Sequence, residues 1–132
     1  GIFDNYDYAM LGDIHKRQSL DYGGHIQYAG STIQQNHGEE DNKGYLIWDI
    51  ADKDVFNVKH VEIKNPKPFI TIELTPKGRM PKSIDVPIGA RLRLVSNNNL
   101  PLDKMKHAVD VAKHRFKPES PEEINTSIFK RL

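Results

Sequence analysis

The sequence predicts an α+β fold in which a strand-rich first part precedes a small part that packs a helix on a sheet. Short apolar runs with strand-like alternation recur through the first half of the chain. The segment "KNPKP" (residues 64–68) carries two prolines, which lack backbone donors and so disfavour regular strand pairing. Residues 101–116 then repeat apolar positions at helical spacing. We therefore expect two parts, residues 1–63 and 64–132.

Composition and charge exclude several protein classes but name no partner. The 132 residues include no cysteine, which excludes disulfides and thiolate metal sites. The net charge is only +1, so any contact with nucleic acid has to be local. No apolar run approaches the roughly 18 residues of a membrane span, so we expect no membrane partner. The chain begins with Gly1 rather than methionine, and we expect it to be a piece of a longer protein.

The first part reads as strands. Residues 8–11 are a short apolar strand candidate, and residues 25–29, "HIQYA", are a second that ends in the turn signal "GST". The apolar run "YLIWDI" (45–50) and the run "VFNVKHVEI" (55–63) flank "ADKD". This pair predicts an antiparallel hairpin with a four-residue loop.

The second part predicts the order β–β–α–α. The runs "FITIEL" (69–74) and "RLRLV" (91–95) alternate with period two, as half-buried strands do. A helix is expected from about Pro101 to Phe116, because proline suits the first turn of a helix. The apolar stripe of this helix consists of Met105, Ala108, Val109, Ala112 and Phe116. A capping box with an early proline, "SPEE" (120–123), predicts a short last helix.

The stretch "LGDIHKRQ" (residues 11–18) places Asp13 and His15 just past a predicted strand end. In an extended chain, residues i and i+2 point to the same side, so both side chains are expected to aim at one point. A carboxylate and an imidazole suit Mn, Fe or Zn, although two ligands do not complete a site. The alternative is an aspartate that caps a turn beside a solvated histidine. The remaining histidines have no ligand spacing, and we expect His60 and those of the helix at the surface.

Four short motifs follow one another along the first part, namely "GDIH" (12–15), "YAGS" (28–31), "GE" (38–39) and "KGY" (43–45). In this order and spacing they resemble the calcineurin-like metallophosphoesterases, in the branch of double-strand-break repair nucleases with SbcD-like exonuclease subunits. The resemblance covers about residues 6–63. It implies that this part is a partial β-sandwich edge at the end of the metallophosphoesterase core, and that residues 64–132 are the small two-layer α/β capping domain.

The same resemblance implies a metal site. In the family, two metal ions, usually manganese, hold a bridging hydroxide that attacks a phosphodiester in line. By resemblance, Asp13 and His15 are metal ligands, one for each ion. Asp13 stands where the family usually has a histidine, which changes the charge of the site by one unit. The residues expected to contact nucleic acid are Lys16, Arg17, Gln18, Ser31 and His37. For the first three, a solvated basic loop is the alternative.

The family also needs an early D-x-H, a G-D-x-x-D and a G-N-H-[DE], and none of them precedes Gly12 in this chain. The pair Asn36–His37 lacks the glycine of the last motif and comes after the "GDIH" loop. We therefore assign no catalytic residue within the chain and expect it not to hydrolyse DNA alone.

The expected parent protein is a Mn-dependent DNA exo- or endonuclease of DNA repair or recombination. By resemblance, its partners are DNA and an SMC-like coiled-coil ATPase subunit, it forms a homodimer, and it is cytoplasmic or nucleoid-associated. Seven basic residues of the linker and the second part are further candidates for facing DNA, with an ordinary solvated surface as the alternative: Lys64, Lys67, Lys77, Arg79, Lys82, Arg91 and Arg93.

Two other functions stay open at this point. The chain fits a non-catalytic module that binds nucleic acid or a partner, with Asp13 and His15 vestigial. It also fits a phosphoesterase that acts on nucleotides or phosphoproteins. Metal-ligand motifs encoded upstream of Gly1 would favour an enzyme over the binding module. A neighbouring gene for a coiled-coil ATPase would favour the nuclease over another phosphoesterase.

Overall fold

The computed structural model describes residues 1–97 and 99–128, and the chain divides into two compact units, Gly1–Asn65 and Pro66–Leu132. Several sheets and one α-helix occur in the described residues, which confirms the predicted α+β class. The division falls inside the "KNPKP" segment. Within those described ranges, no helix has the length and apolar character that a membrane crossing requires.

The first unit contains a three-stranded mixed sheet of short strands. Its strands are β1 (Ala9–Leu11), β2 (Gln18–Ser19) and β3 (Ile26–Tyr28), in the order β1-β3-β2. Strand β1 runs parallel to β3, and β2 runs antiparallel to it. Because the carboxyl ends of parallel strands lie at one edge of a sheet, the loops that follow β1 and β3 leave from the same edge.

The predicted hairpin is confirmed, with a tighter turn than expected. Strand β4 (Gly44–Asp52) pairs antiparallel with β5 (Val55–Glu62). Only residues 53 and 54 connect the two strands, and a register irregularity lies between Ile50 and Asp52. The expected four-residue loop was wrong. A bulge between Ile50 and Asp52 lets β4 continue to Asp52, and only two residues are then left for the turn.

An aromatic cluster packs one face of this hairpin. The ring of Phe56 lies 5.1 Å from Tyr8, 6.1 Å from Trp48 and 4.5 Å from His25. The Tyr8 hydroxyl also lies 2.6 Å from the Asp52 carbonyl oxygen, at the hairpin turn. Aromatic pairs at such distances add stabilisation beyond the area that they bury. The hairpin is therefore held to the strand that begins just after Tyr8.

The second unit is a two-layer arrangement of a parallel sheet and a helix. Its strands are β6 (Phe69–Glu73), β7 (Arg91–Ser96) and β8 (Asn125–Ile128), all parallel, with β7 in the centre. Helix α1 (Leu102–Phe116) confirms the predicted helix. The core joins the inner residues of the sheet to the apolar stripe of the helix: Ile72, Leu74, Ala90, Leu92, Leu94, Leu100, Met105, Ala108, Ala112 and Phe116.

The predicted last helix was wrong. Pro121–Glu123 form a single 3₁₀ turn, Ser120 makes no side-chain cap, and the chain continues as strand β8. The second unit is thus β–β–α–β in its described residues. Tertiary pairing outweighs the local helix signal here, because Ile124 and Ile128 pack against the core and β7 offers an unpaired edge.

We expect Leu94→Ala to destabilise the second unit strongly. Leu94 is fully buried in the central strand, so the truncation removes apolar contacts and leaves a cavity. The expected loss in the free energy of unfolding is about 3 kcal/mol, measured by urea denaturation. Leu102→Ala is the matched control, because Leu102 is 65% exposed and its truncation should cost less than about 0.5 kcal/mol. Equal losses in the two variants would contradict the assigned core.

Asp21 makes the first unit sensitive to acid. Its carboxylate accepts hydrogen bonds from the backbone N–H groups of Ile26, at 2.8 Å, and His25, at 3.1 Å. Desolvation alone raises the pKa of Asp21, but these bonds and the His25 ring together lower the pKa below its usual value. The ionised form therefore stabilises the fold above the pKa of the unfolded carboxyl. That stabilisation disappears as the pH falls through the lower folded pKa.

For Asp21→Asn, we expect a loss of about 1 kcal/mol at pH 7 that shrinks as the pH falls below about 4. Urea denaturation followed over this pH range measures the difference from the unsubstituted protein. Asp41→Asn serves as the control, because Asp41 is exposed in a loop. A difference that stays constant from pH 7 to pH 2 would show that the Asp21 charge contributes nothing.

Candidate metal and nucleic-acid site

The loops after β1 and β3 contact each other through their backbones. The N–H of Ser31 donates to the His15 carbonyl at 3.1 Å. Gly30 has a φ of +80°, and a Cβ there would lie 2.9 Å from the His15 carbonyl oxygen and from the Arg17 nitrogen. Only glycine fits such a close approach in this conformation. The "YAGS" motif therefore supports the backbone of residues 15–17.

Three side chains form a connected polar cluster on these loops. The Nδ1 atom of His15 lies 2.9 Å from Oε1 of Glu39, and the ammonium of Lys43 lies 3.5 Å from Oε2. Lys43 also donates to the His15 carbonyl at 2.7 Å. The side chains of Lys43 and Glu39 are only 9% and 15% exposed, whereas that of His15 is 57% exposed. A shielded ion pair thus holds a histidine that faces solvent.

The carboxylate of Glu39 determines which nitrogen of His15 is available. The backbone N–H of Gln35 donates to Oε2 at 2.9 Å and is the main cause that lowers the pKa of Glu39, with further contributions from His15 and Lys43. An ionised carboxylate only accepts hydrogen bonds, so Nδ1 of His15 has to carry the proton. In the neutral imidazole, Nε2 then holds the free lone pair. No described residue forms a hydrogen bond with Nε2.

Lys43 is positioned by the strand that follows it. Gly44 pairs with Glu62 at the start of β4, and a Cβ on Gly44 would lie 1.9 Å from the Val61 carbonyl oxygen. The close approach of the two strands therefore requires glycine. As a result, the "KGY" motif directs a lysine from the hairpin toward the loop that carries His15.

An open cavity of about 480 Å³ lies beside the cluster. It is lined by residues from both loops and from the hairpin, among them His15, Lys16, Arg17, Ser31, Glu39 and His60. The cavity therefore combines an imidazole with cationic side chains and a hydroxyl, groups that bind metal ions and phosphate oxygens.

The other predicted residues are not among the described residues that line the cavity. Asp13 is exposed, has a φ of 76° and is not among the described residues that line the cavity. A left-handed residue breaks the alternation that would have aimed Asp13 and His15 at one point. Gln18 begins β2, where its amide lies 3.5 Å from the Lys16 carbonyl oxygen. His37 is half-buried in the loop after β3. Metal ligation by Asp13 and His15 stays a prediction.

Within residues 1–97 and 99–128, no group of three or more histidine, aspartate or glutamate side chains lies close enough to hold a metal ion.

Three site residues were not predicted from the sequence, namely Glu39, Lys43 and His60. The first two belong to the "GE" and "KGY" motifs, which indicated a resemblance but no side-chain role. His60 was expected at the surface, and this was wrong. It follows Phe56 and Val58 on one face of β5 with period two, which was the available signal. Its Nε2 atom is buried and has no hydrogen-bond partner among the described residues.

Comparisons with known proteins give partial similarities. No protein-family model matches the chain. An uncharacterized protein of Acanthamoeba polyphaga mimivirus is 33% identical over 97 residues, which are 73% of this chain and 7% of that protein. The SbcD component of nuclease SbcCD from Staphylococcus epidermidis (strain ATCC 12228 / FDA PCI 1200) is 33% identical over 72 residues, 54% of this chain and 19% of that protein. Part of this chain is similar to a nuclease component. The chain spans less than a fifth of either relative.

We expect Glu39→Gln to release the ring of His15. A neutral amide accepts a weaker hydrogen bond than a carboxylate and can also donate, so it no longer restricts the proton to Nδ1. Nitrogen-15 NMR of the imidazole measures the tautomer directly. We expect mainly the Nδ1–H form in the unsubstituted protein and a mixture in the variant. Glu40→Gln is the control, since Glu40 lines the cavity without a bond to His15. The same mixture in all three proteins would refute the role of Glu39.

Proposed function

We propose that this chain is part of a manganese-dependent DNA exo- or endonuclease that hydrolyses phosphodiester bonds in DNA repair or recombination. The observation that carries the proposal is the His15–Glu39 pair at the edge of an open cavity. The partial similarity to a component of a nuclease supports it. The isolated chain is proposed to be inactive, because most metal ligands would come from outside it.

His15 suits a metal ligand of this kind. Histidines that bind metals usually donate their other ring N–H to a carboxylate or a carbonyl, which fixes the tautomer and the orientation of the ring. Glu39 makes this contact, and Nε2 is the nitrogen that would face the ion. Asp13 is the second proposed ligand on this loop, and it would have to turn toward the cavity to take part. Manganese, when bound, would supply a Lewis acid that polarises the phosphodiester and activates water.

Two cations beside His15 suit the substrate of such a reaction. Lys16 and Arg17 line the cavity and are exposed, so they are available to the phosphate oxygens of a DNA strand. The guanidinium of Arg17 can bind a phosphate through two parallel hydrogen bonds. Ser31 adds a hydroxyl to the same cavity. These contacts would position the backbone of the strand without reading its sequence.

The partners are proposed on the same basis. The name of the staphylococcal relative describes it as one of the subunits of the nuclease SbcCD. By analogy, we propose that the full-length parent of this chain associates with a coiled-coil ATPase of the SMC-like type. We also propose that the parent forms a homodimer and acts on DNA in the cytoplasm or nucleoid.

The full-length gene product is the material for the test. We expect it to degrade linear duplex DNA when Mn²⁺ is present, with release of nucleotides or short fragments measured over time. His15→Ala should lower the rate by roughly a hundredfold or more, since a ligand of the reacting ion is removed. His114→Ala is the control, because His114 is an exposed histidine of α1 in the other unit.

Two results would contradict the proposal. Mn²⁺-independent cleavage that His15→Ala leaves unchanged would place the chemistry elsewhere. DNA binding without cleavage would favour the non-catalytic module instead.

A further inference from the structure

A basic cleft in the second unit is separate from the candidate metal site. It has a volume of about 890 Å³ and lies between helix α1 and the loop after β6. Lys77 and Arg79 stand on the loop side, and Lys104 and Arg115 stand on the helix side. His107 also lies on the helix side. The proposed nuclease function uses none of the helix residues.

Hydrogen bonds between Thr75 and Arg79 close the turn on the loop side of the cleft. The Thr75 N–H donates to the Arg79 carbonyl at 2.9 Å, and the Arg79 N–H donates to the Thr75 hydroxyl at 3.0 Å. Gly78 has a φ of +74°, and a Cβ there would lie 2.5 Å from a methyl carbon of Leu100. The turn is therefore closed by its own hydrogen bonds and packed against the core. It presents Lys77 and Arg79 in a defined place.

Arg115 fixes the far end of the cleft. Its guanidinium donates to the carbonyl oxygens of Pro81 and Lys82, each at 2.9 Å, and stacks 4.8 Å from the ring centre of Phe116. The segment that continues from the loop is thus tied to the last turn of α1. Both sides of the cleft are therefore connected through this residue.

The charge of the cleft is unbalanced. Among the described residues, four lysine and arginine side chains line it against one carboxylate, that of Asp103. In the described part of the chain, no carboxylate lies within ion-pair distance of Lys77, Arg79 or Lys104. Like charges that share a concave surface repel one another and attract an anionic partner. The cleft therefore favours an occupant that carries several negative charges.

The floor of the cleft is apolar and indicates what kind of anion it fits. Met80, Ala108 and Val111 form this floor. Among the described residues that line the cleft, the only ring is the imidazole of His107 and no Phe, Tyr or Trp is present, so successive bases of a nucleic acid would find no series of rings to stack on. An apolar floor between basic sides instead matches a peptide that carries apolar anchors flanked by carboxylates.

We propose that this cleft binds an acidic amphipathic segment of a partner protein. Apolar side chains of the segment contact Met80 and Val111, and its carboxylates face Lys77, Arg79 and Lys104. From Lys104 to Arg115 the helix rises by about 16 Å, which corresponds to roughly three turns of a bound peptide helix. A second concavity on the same flank of α1 shares His107, Val111 and Arg115 with the cleft, which extends the contact surface.

The probe is a labelled 16-residue peptide that has leucines at helical spacing with glutamates on either side, and fluorescence anisotropy measures its binding to the chain. We expect Lys104→Glu to weaken binding about tenfold by charge reversal. Lys106→Glu is the matched control on the same helix and should change affinity less than about twofold, because Lys106 does not line the cleft. Val111→Thr keeps the side-chain shape but removes apolar surface, and should weaken peptide binding about threefold.

A scrambled peptide of the same composition and a single-stranded 16-nucleotide DNA are tested in parallel. Weak binding of both, together with the pattern above, supports the proposal. No binding of the patterned peptide, or equal effects of Lys104→Glu and Lys106→Glu, would overturn it. The proposal would also be overturned if the scrambled peptide bound as tightly as the patterned peptide, or if the DNA bound more tightly than the patterned peptide at the same cleft.

Discussion

The contacts of the Glu39 carboxylate determine the candidate site of the first unit. This group accepts from the Gln35 backbone and binds both the His15 ring and the Lys43 ammonium. His15 comes from the loop after β1, whereas Gln35 and Lys43 belong to the same segment as Glu39, between β3 and β4, so one shielded charge holds the loop after β1 to the residues that lead into β4. A shielded carboxylate and ammonium are tolerated only because they compensate each other. The position of His15 thus depends on an ion pair whose two members lie 24 and 28 residues later in the sequence.

The sequence predicted the site in part, and the reason for the rest is physical. Motif order placed His15, Lys16, Arg17 and Ser31 near one another, and all four line one cavity. Asp13 was paired with His15 by the alternation of an extended chain. That rule fails where a residue adopts left-handed backbone angles, as Asp13 does. Nothing in the local sequence marked this reversal.

Elements with strong periodicity were predicted well. The hairpin and helix α1 follow from local alternation and helical spacing, which depend on neighbouring residues alone. The direction of strand pairing could not be predicted in this way, because the alternation of apolar and polar residues is the same in parallel and antiparallel sheets. The strand Asn125–Ile128 was missed for a related reason, since its pairing depends on the free edge of β7 about thirty residues earlier.

The position of β8 has a consequence for the way in which the second unit is made. Strand β7 receives its second neighbour only from residues 125–128, so this parallel sheet is complete only after the ribosome has synthesised residue 128. Until then, the backbone groups on one edge of β7 stay open to other chains, while a helix has already begun to cover one face. Completion of this sheet is therefore coupled to the arrival of residues 125–128, which lie about thirty residues after β7.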